Sequence, residues 1–168
     1  MIEIFFLALR RLCLGVAIAA TFTLFIVVAF NIVGRAVFDA TGGDLNLMIF
    51  GAIELSQYAL MISIFAAIPA MLGTGLIKVD IVSQNFPHWL QKSLDKVWLS
   101  LIALFAAVLA IAFFELAVTA LNRGDETQDL RLPLWPFYAV ACFECAALFL
   151  LAGAEMLGLV HPPKAETS

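Results

Sequence analysis

Charged residues are scarce in this sequence. Only 13% of its 168 residues are charged and 64% are hydrophobic, whereas a soluble domain is normally about a quarter charged and about half apolar. Nine Lys and Arg against thirteen Asp and Glu give a net charge of −4, and no basic cluster is present that could neutralise phosphates. These shortages exclude a soluble monomer and a nucleic-acid-binding protein. We therefore predict an integral membrane protein.

Familiar catalytic and cofactor motifs are also missing. The chain has no phosphate-binding loop, no H-E-x-x-H zinc motif and no G-x-S-x-G nucleophile motif, and its two histidines, His88 and His161, lie outside the apolar segments. Cys142 and Cys145 form a C-x-x-C, but only Cys13, near the other membrane face, remains to relay electrons. We interpret the cysteines as small packing residues and predict no enzyme activity, cofactor or metal site.

Four long apolar segments are each able to cross a bilayer, which takes roughly 20 predominantly apolar residues. They cover about residues 12–34, 47–73, 97–121 and 133–157, and Pro133 opens the last one. We predict an all-α membrane protein whose residues 1–168 form a single domain. Residues 2–10 and 87–96 have apolar side chains at helical spacing, which predicts interfacial amphipathic helices on the cytoplasmic leaflet. The alternative is that each is an extension of the next span.

The distribution of positive charge predicts the orientation. Four spans place both termini and the middle loop on one side, and that side carries six Lys and Arg: Arg10, Arg11, Lys78, Lys92, Lys96 and Lys164. The other two loops carry three: Arg35, Arg123 and Arg131. Because Lys and Arg are enriched in cytoplasmic loops, we expect cytoplasmic termini and an outer loop that contains Asp125 and Glu126.

Three carboxylates lie inside the apolar segments, where an ionisable side chain is costly and usually faces protein or water. They are Glu54, Glu115 and Glu144. Arg35 begins at the same end as the first two, so we expect it to pair with Glu54 or Glu115, whereas Glu144 has no evident partner. The alternative is a proton or cation pathway, in which a small stand-alone proton-coupled transporter would use Glu54 or Glu144.

Four short strings together resemble one family. They are an N-x-x-x-R from Asn31 to Arg35, the string Glu54–Tyr58, the string Gly75–Asp80, and an outer loop in which Thr127, Leu130, Pro133 and Trp135 keep a T-x-x-L-x-x-P-x-W spacing. This series resembles the small membrane subunit (the Q or DctQ-like subunit) of tripartite ATP-independent periplasmic (TRAP) transporters. The resemblance spans about residues 27–138. Leu76 stands where the family often has histidine.

The resemblance implies a helper rather than a complete transporter. Its expected partners are a large M-type membrane subunit, which carries the substrate and sodium sites, and a periplasmic solute-binding protein that delivers organic acids in the inner membrane of a bacterium or archaeon. The chain would brace the large subunit within the lipid bilayer. The candidate structural or partner-contact residues are Asn31, Arg35, Glu54, Gly75, Asp80, Glu115, Asp125, Glu126, Thr127, Leu130, Pro133 and Trp135.

Overall fold

The described part of the chain folds into four α-helices. The computed structural model describes residues 2–45, 47–72 and 88–159. The helices are α1 (Ile2–Ala40), α2 (Ala52–Met71), α3 (His88–Arg123) and α4 (Trp135–Met156). All four are long and apolar enough to cross a membrane. The prediction of an all-α membrane protein with four spans is therefore confirmed.

The two segments predicted to be interfacial helices are not separate helices in the structure. Residues 2–10 are the first turns of α1 and residues 88–96 are the first turns of α3, without an interruption in either helix. Neither helix contains a proline that would remove a backbone hydrogen bond and kink it. At about 1.5 Å per residue, α1 is about 58 Å long and α3 about 54 Å. Separate interfacial helices are therefore not seen, and the alternative, an extension of the next span, describes residues 2–10 and 88–96; residue 87 lies outside the described residues.

The start of α2 also differs from the expected boundary near residue 47. The helix begins at Ala52 because Gly51, its N-cap residue, has a φ of 70°, which lies outside the helical region. The preceding chain passes over α1 at Gly34. A Cβ atom at Gly34 would lie 3.0 Å from the carbonyl carbon and oxygen of Leu47. The absence of a side chain at Gly34 therefore lets the α1–α2 loop lie against α1.

The helices lie side by side in the order α1, α2, α4, α3. α1 packs along α2 and α3 packs along α4, while α2 and α4 form most of the contact between these two pairs and the first part of α1 also reaches α4. The buried residues of the two central helices are mostly alanines, among them Ala59, Ala66, Ala141, Ala147 and Ala152. Small side chains let helix backbones approach closely, as is common between membrane helices.

The largest buried cluster is at the end where α1 begins and α4 ends, called here the terminal end. Leu72, Ala103, Leu148 and Leu151 belong to this cluster, and Phe6 of α1 packs against it. The opposite end, called here the loop end, holds the α1–α2 and α3–α4 connections. Between the two ends, polar contacts also join neighbouring helices.

Two of these contacts identify neighbours in the middle of the bundle. The hydroxyl oxygens of Thr21 on α1 and Ser63 on α2 are 2.6 Å apart. The Cys142 thiol of α4 donates to the Ala110 carbonyl oxygen of α3 at 3.3 Å. Ala110 of α3 and Cys142 of α4 therefore lie at the same height in the bundle.

Candidate functional site

The α3–α4 connection folds into a small hairpin at the loop end. Helix α3 ends at Arg123, and Gly124 follows with a φ of 67°, the left-handed conformation in which glycine commonly ends helices. Glu126 and Pro133 then face each other as an isolated antiparallel bridge. The Leu134 N–H donates to the Asp125 carbonyl oxygen at 3.0 Å. We call residues 125–134 the outer hairpin.

Thr127 closes this hairpin from the inside. Its N–H donates to the Leu132 carbonyl oxygen at 2.9 Å, and its hydroxyl oxygen accepts from the Leu132 N–H at 3.1 Å. The side chain is only 6% exposed. Because its backbone N–H and its hydroxyl oxygen both bond to Leu132, Thr127 has a structural role in shaping the hairpin.

The carboxylate of Glu54, on the first turn of α2, binds the tip of the outer hairpin. Its Oε1 accepts from the Asp129 N–H at 2.9 Å, and its Oε2 accepts from the Leu130 N–H at 3.3 Å. Hydrogen bonds to an ionised acceptor are stronger than those between neutral groups. Glu54 thus ties the α3–α4 connection to α2, two elements that are far apart in the sequence.

Leu130 adds an apolar contact to this attachment. Its side chain lies directly over Gly51, so closely that a Cβ atom at Gly51 would overlap Leu130 Cγ. Gly51 is buried and has a positive φ. Any other residue there would be strained by its backbone conformation and would also displace Leu130. We call Gly51, Glu54, Thr127 and Leu130 the loop clasp.

The prediction that Arg35 pairs with Glu54 or Glu115 was wrong. Arg35 is exposed and has no hydrogen bond or ion pair among the described residues, and the backbone of the outer hairpin occupies the Glu54 carboxylate instead. Asn31, one turn before Arg35, is half-buried. Within this string the residue with a visible packing function is Gly34, which the sequence analysis did not single out.

Pro133 and Trp135 lead from the outer hairpin into α4. Pro133 lies in the bridge with Glu126, two residues before α4 begins, so the prediction that it opens the helix was wrong; Pro136 occupies the first turn. Trp135 is the first residue of α4 and is 41% exposed. Below it, the ring of Phe137 stacks on Tyr58 of α2 with the ring centroids 4.5 Å apart.

The three carboxylates of the apolar segments have three different environments. Glu54 is bound by the outer hairpin, Glu115 is exposed on α3, and Glu144 is only 1% exposed on the buried face of α4. Both carboxyl oxygens of Glu144 lack a hydrogen-bond partner. One turn further along α4, Ala147 packs with Cys13 and Ala70, so Glu144 lies close to where α1, α2 and α4 meet.

The remaining predicted positions are scattered. Gly75 and Asp80 lie outside the described residues. In the outer hairpin, Asp125 is half-buried and Glu126 is exposed. Beside the hairpin, α3 and α4 form an open apolar groove of about 280 Å³. The groove is lined by Phe114, Ala117, Val118, Leu121, Trp135, Ala139, Cys142 and Phe143.

These features define a small helical membrane protein whose loop end is fixed by a clasp and whose helices expose much of their apolar surface. A family model described as "Tripartite ATP-independent periplasmic transporters, DctQ component" matches residues 24–161, which is most of the chain. The chain therefore belongs to the DctQ family, a family of transporter components, and the resemblance noted in the sequence is confirmed. Searches of curated proteins and of solved structures found no match.

Proposed function

We propose that this chain is the scaffold subunit of a sodium-coupled TRAP transporter and that it braces the large M-type subunit during binding-protein-dependent uptake of organic acids. Its membrane would be the inner membrane of a bacterium or archaeon. Membership of the DctQ family supports a role as the small component of such a transporter. The bracing role is supported by the way in which the four helices are arranged.

The observation that carries the bracing role is the large apolar surface left uncovered by a side-by-side arrangement. In the most apolar window of each helix, 44% of the residues are buried in α4 but only 6% in α3 and 17% in α1. A closed bundle would bury one face of every helix, whereas this row leaves most of both edge helices exposed. Such a surface suits a chain that spreads along a larger membrane partner.

The carboxylates argue against a stand-alone proton-coupled transporter. Glu54 is engaged by two backbone N–H groups of the outer hairpin, so it is not free to bind and release a substrate. Glu144 is enclosed by packed side chains with 1% exposure, which does not favour rapid exchange of protons with water. The acids therefore lie on separate helices in unlike environments and do not form one pathway.

The outer hairpin is the proposed contact with the solute-binding protein. The excess of Lys and Arg on the terminal side favours cytoplasmic termini, which would place the loop end in the periplasm. The loop clasp holds the hairpin in one shape, and Glu126 and Asp129 are exposed on it. A polar surface of this kind affects encounter rate and specificity more than it affects affinity.

Assembly with the large subunit provides the test of the proposed function. A tag on this chain should retain the large subunit through purification in mild detergent, and the large subunit should unfold at a lower temperature when purified without this chain. An unrelated four-helix membrane protein with the same tag serves as the control. If the large subunit neither co-purifies nor loses thermal stability without this chain, the bracing role is refuted.

A further inference from the structure

The exposed face of α3 has a regular pattern of side chains. Helix α3 lies at the edge of the row and is exposed over most of its surface, and seven of its exposed residues recur at alternating intervals of three and four. They are Leu101, Leu104, Val108, Ile111, Glu115, Val118 and Asn122. Side chains at this spacing lie on one face of a helix and can pack against a second helix at a shallow crossing angle. We call these seven residues the α3 stripe.

Glu115 makes the α3 stripe unsuitable for contact with lipid. Its side chain is exposed and has no hydrogen bond or ion pair to any residue within the described part of the chain. It lies eight residues before Arg123, the end of α3, which is about 12 Å along the helix axis. A carboxylate at such a depth is costly in lipid and almost always faces other protein or a water-filled cavity.

The direction of the Glu115 side chain keeps its carboxylate from reaching the membrane surface at the loop end. The Cα–Cβ bonds of an α-helix tilt toward its N-terminus, and the N-terminus of α3 is at the terminal end. The Glu115 side chain therefore points away from the loop end and toward the middle of the span. Its neighbours Phe114 and Val118 line the α3–α4 groove together with Ala139 and Cys142, which lie further along α4 than Trp135.

The other edge of the row has a different character. Between Leu12 and Val33, α1 exposes large apolar side chains, among them Ile18, Phe22 and Phe25, and carries no charged residue. Such a surface can face lipid without exposing an unpaired charge. The two edges therefore differ in one decisive respect, an unpartnered negative charge in the middle of the α3 stripe.

We propose that the α3 stripe docks on a membrane helix of the large subunit that carries a lysine or arginine opposite Glu115. The proposal rests on the proposed function, because it names the surface through which this chain holds its partner. Charge complementarity indicates the occupant: Glu115 has no donor among the described residues of its own chain, and a lysine or arginine on a neighbouring helix would pair with its charge. The groove beside Val118 gives that helix a recess for an apolar side chain.

Substitution of Glu115 by leucine distinguishes docking of the α3 stripe from exposure of the stripe to lipid, because the two hypotheses predict opposite results. If the α3 stripe faces lipid, Glu115→Leu removes a charge from the membrane interior and should leave co-purification of the large subunit unchanged or increase it. If the α3 stripe faces a helix with a lysine or arginine, Glu115→Leu leaves the partner's charge unpaired. Such a change typically corresponds to a loss of about 30-fold or more in affinity. We expect that loss, with a larger one for Glu115→Lys. The matched control is Glu126→Leu, which replaces an exposed acid in the outer hairpin.

Photo-crosslinking in the intact complex gives a readout that does not depend on stability. Benzoylphenylalanine placed at Ile111 or Val118 should form adducts with the large subunit, whereas the same group at Phe22 or Phe25 should not. Adducts formed only from α1, or a Glu115→Leu chain that co-purifies as well as wild type, would overturn the proposal. Failure of the wild-type chain to co-purify would instead refute the proposed function itself.

Discussion

Substitution of Gly51 by alanine tests the loop clasp most sharply. Its φ of 70° lies in the left-handed region, where an L-residue costs about 1–2 kcal/mol. A Cβ atom would also overlap the Leu130 side chain, and such overpacking typically costs about 1–3 kcal/mol. We therefore expect Gly51→Ala to lower the free energy of unfolding by about 2–5 kcal/mol, from the sum of these two terms.

Gly124 supplies a matched control for this prediction. Its φ of 67° is nearly the same, but nothing lies within 4 Å of an added Cβ atom. Gly124→Ala should therefore cost only the backbone strain of about 1–2 kcal/mol. The difference between the two variants isolates the contact with Leu130. Both free energies can be measured by reversible unfolding in mixed detergent micelles with increasing denaturing detergent.

A double-mutant cycle completes the test. If the contact with Leu130 causes the additional loss, Gly51→Ala should cost about as much as Gly124→Ala once Leu130 has been replaced by alanine. An equal cost of Gly51→Ala and Gly124→Ala in the wild-type background would refute the reasoning. The same refutation would follow if replacement of Leu130 left the cost of Gly51→Ala unchanged.

Three further predictions concern other parts of the chain. Gly34→Ala should destabilise the protein by about 1–3 kcal/mol, because its Cβ would press on the α1–α2 loop. Gly15 has open space around it, so Gly15→Ala should be neutral or stabilising in the same unfolding assay. Replacement of Cys142 and Cys145 by alanine should leave uptake near wild type and insensitive to thiol oxidants, and a loss that follows the oxidation state would contradict their packing role. Glu126→Lys should reduce uptake at limiting binding-protein concentration with no change in co-purification of the large subunit; unchanged uptake at every concentration would make the outer hairpin only a connector.

The number and type of the helices could be predicted from the sequence, but their order in the bundle could not. Each span is apolar around its whole circumference, so faces that contact lipid and faces that contact another helix have the same composition. Alanines such as Ala66 and Ala141 are buried and leucines such as Leu104 are exposed, which reverses the pattern of a soluble protein. Continuous α1 and α3 were only the alternative prediction, because an apolar extension and an interfacial helix have similar periodicity.

The candidate site was found in part. The sequence singled out Glu54, Thr127 and Leu130, but it gave Glu54 the wrong partner because proximity to a cation was judged from helix ends alone. The actual partners are backbone N–H groups 75 and 76 residues away in the chain, and backbone donors leave no trace in side-chain patterns. Gly51 was missed for a related reason, since its role depends on a contact made by Leu130 from another loop.

Reconstituted uptake tests the central claim, that this chain supports transport without carrying the solute itself. Proteoliposomes would contain the large subunit alone, this chain alone, or both, with the solute-binding protein, an organic acid and an inward sodium gradient supplied outside. The account predicts uptake at full rate only when both chains are present, and none with this chain alone. Uptake by this chain alone, or a large subunit that transports equally well without it, would contradict the account.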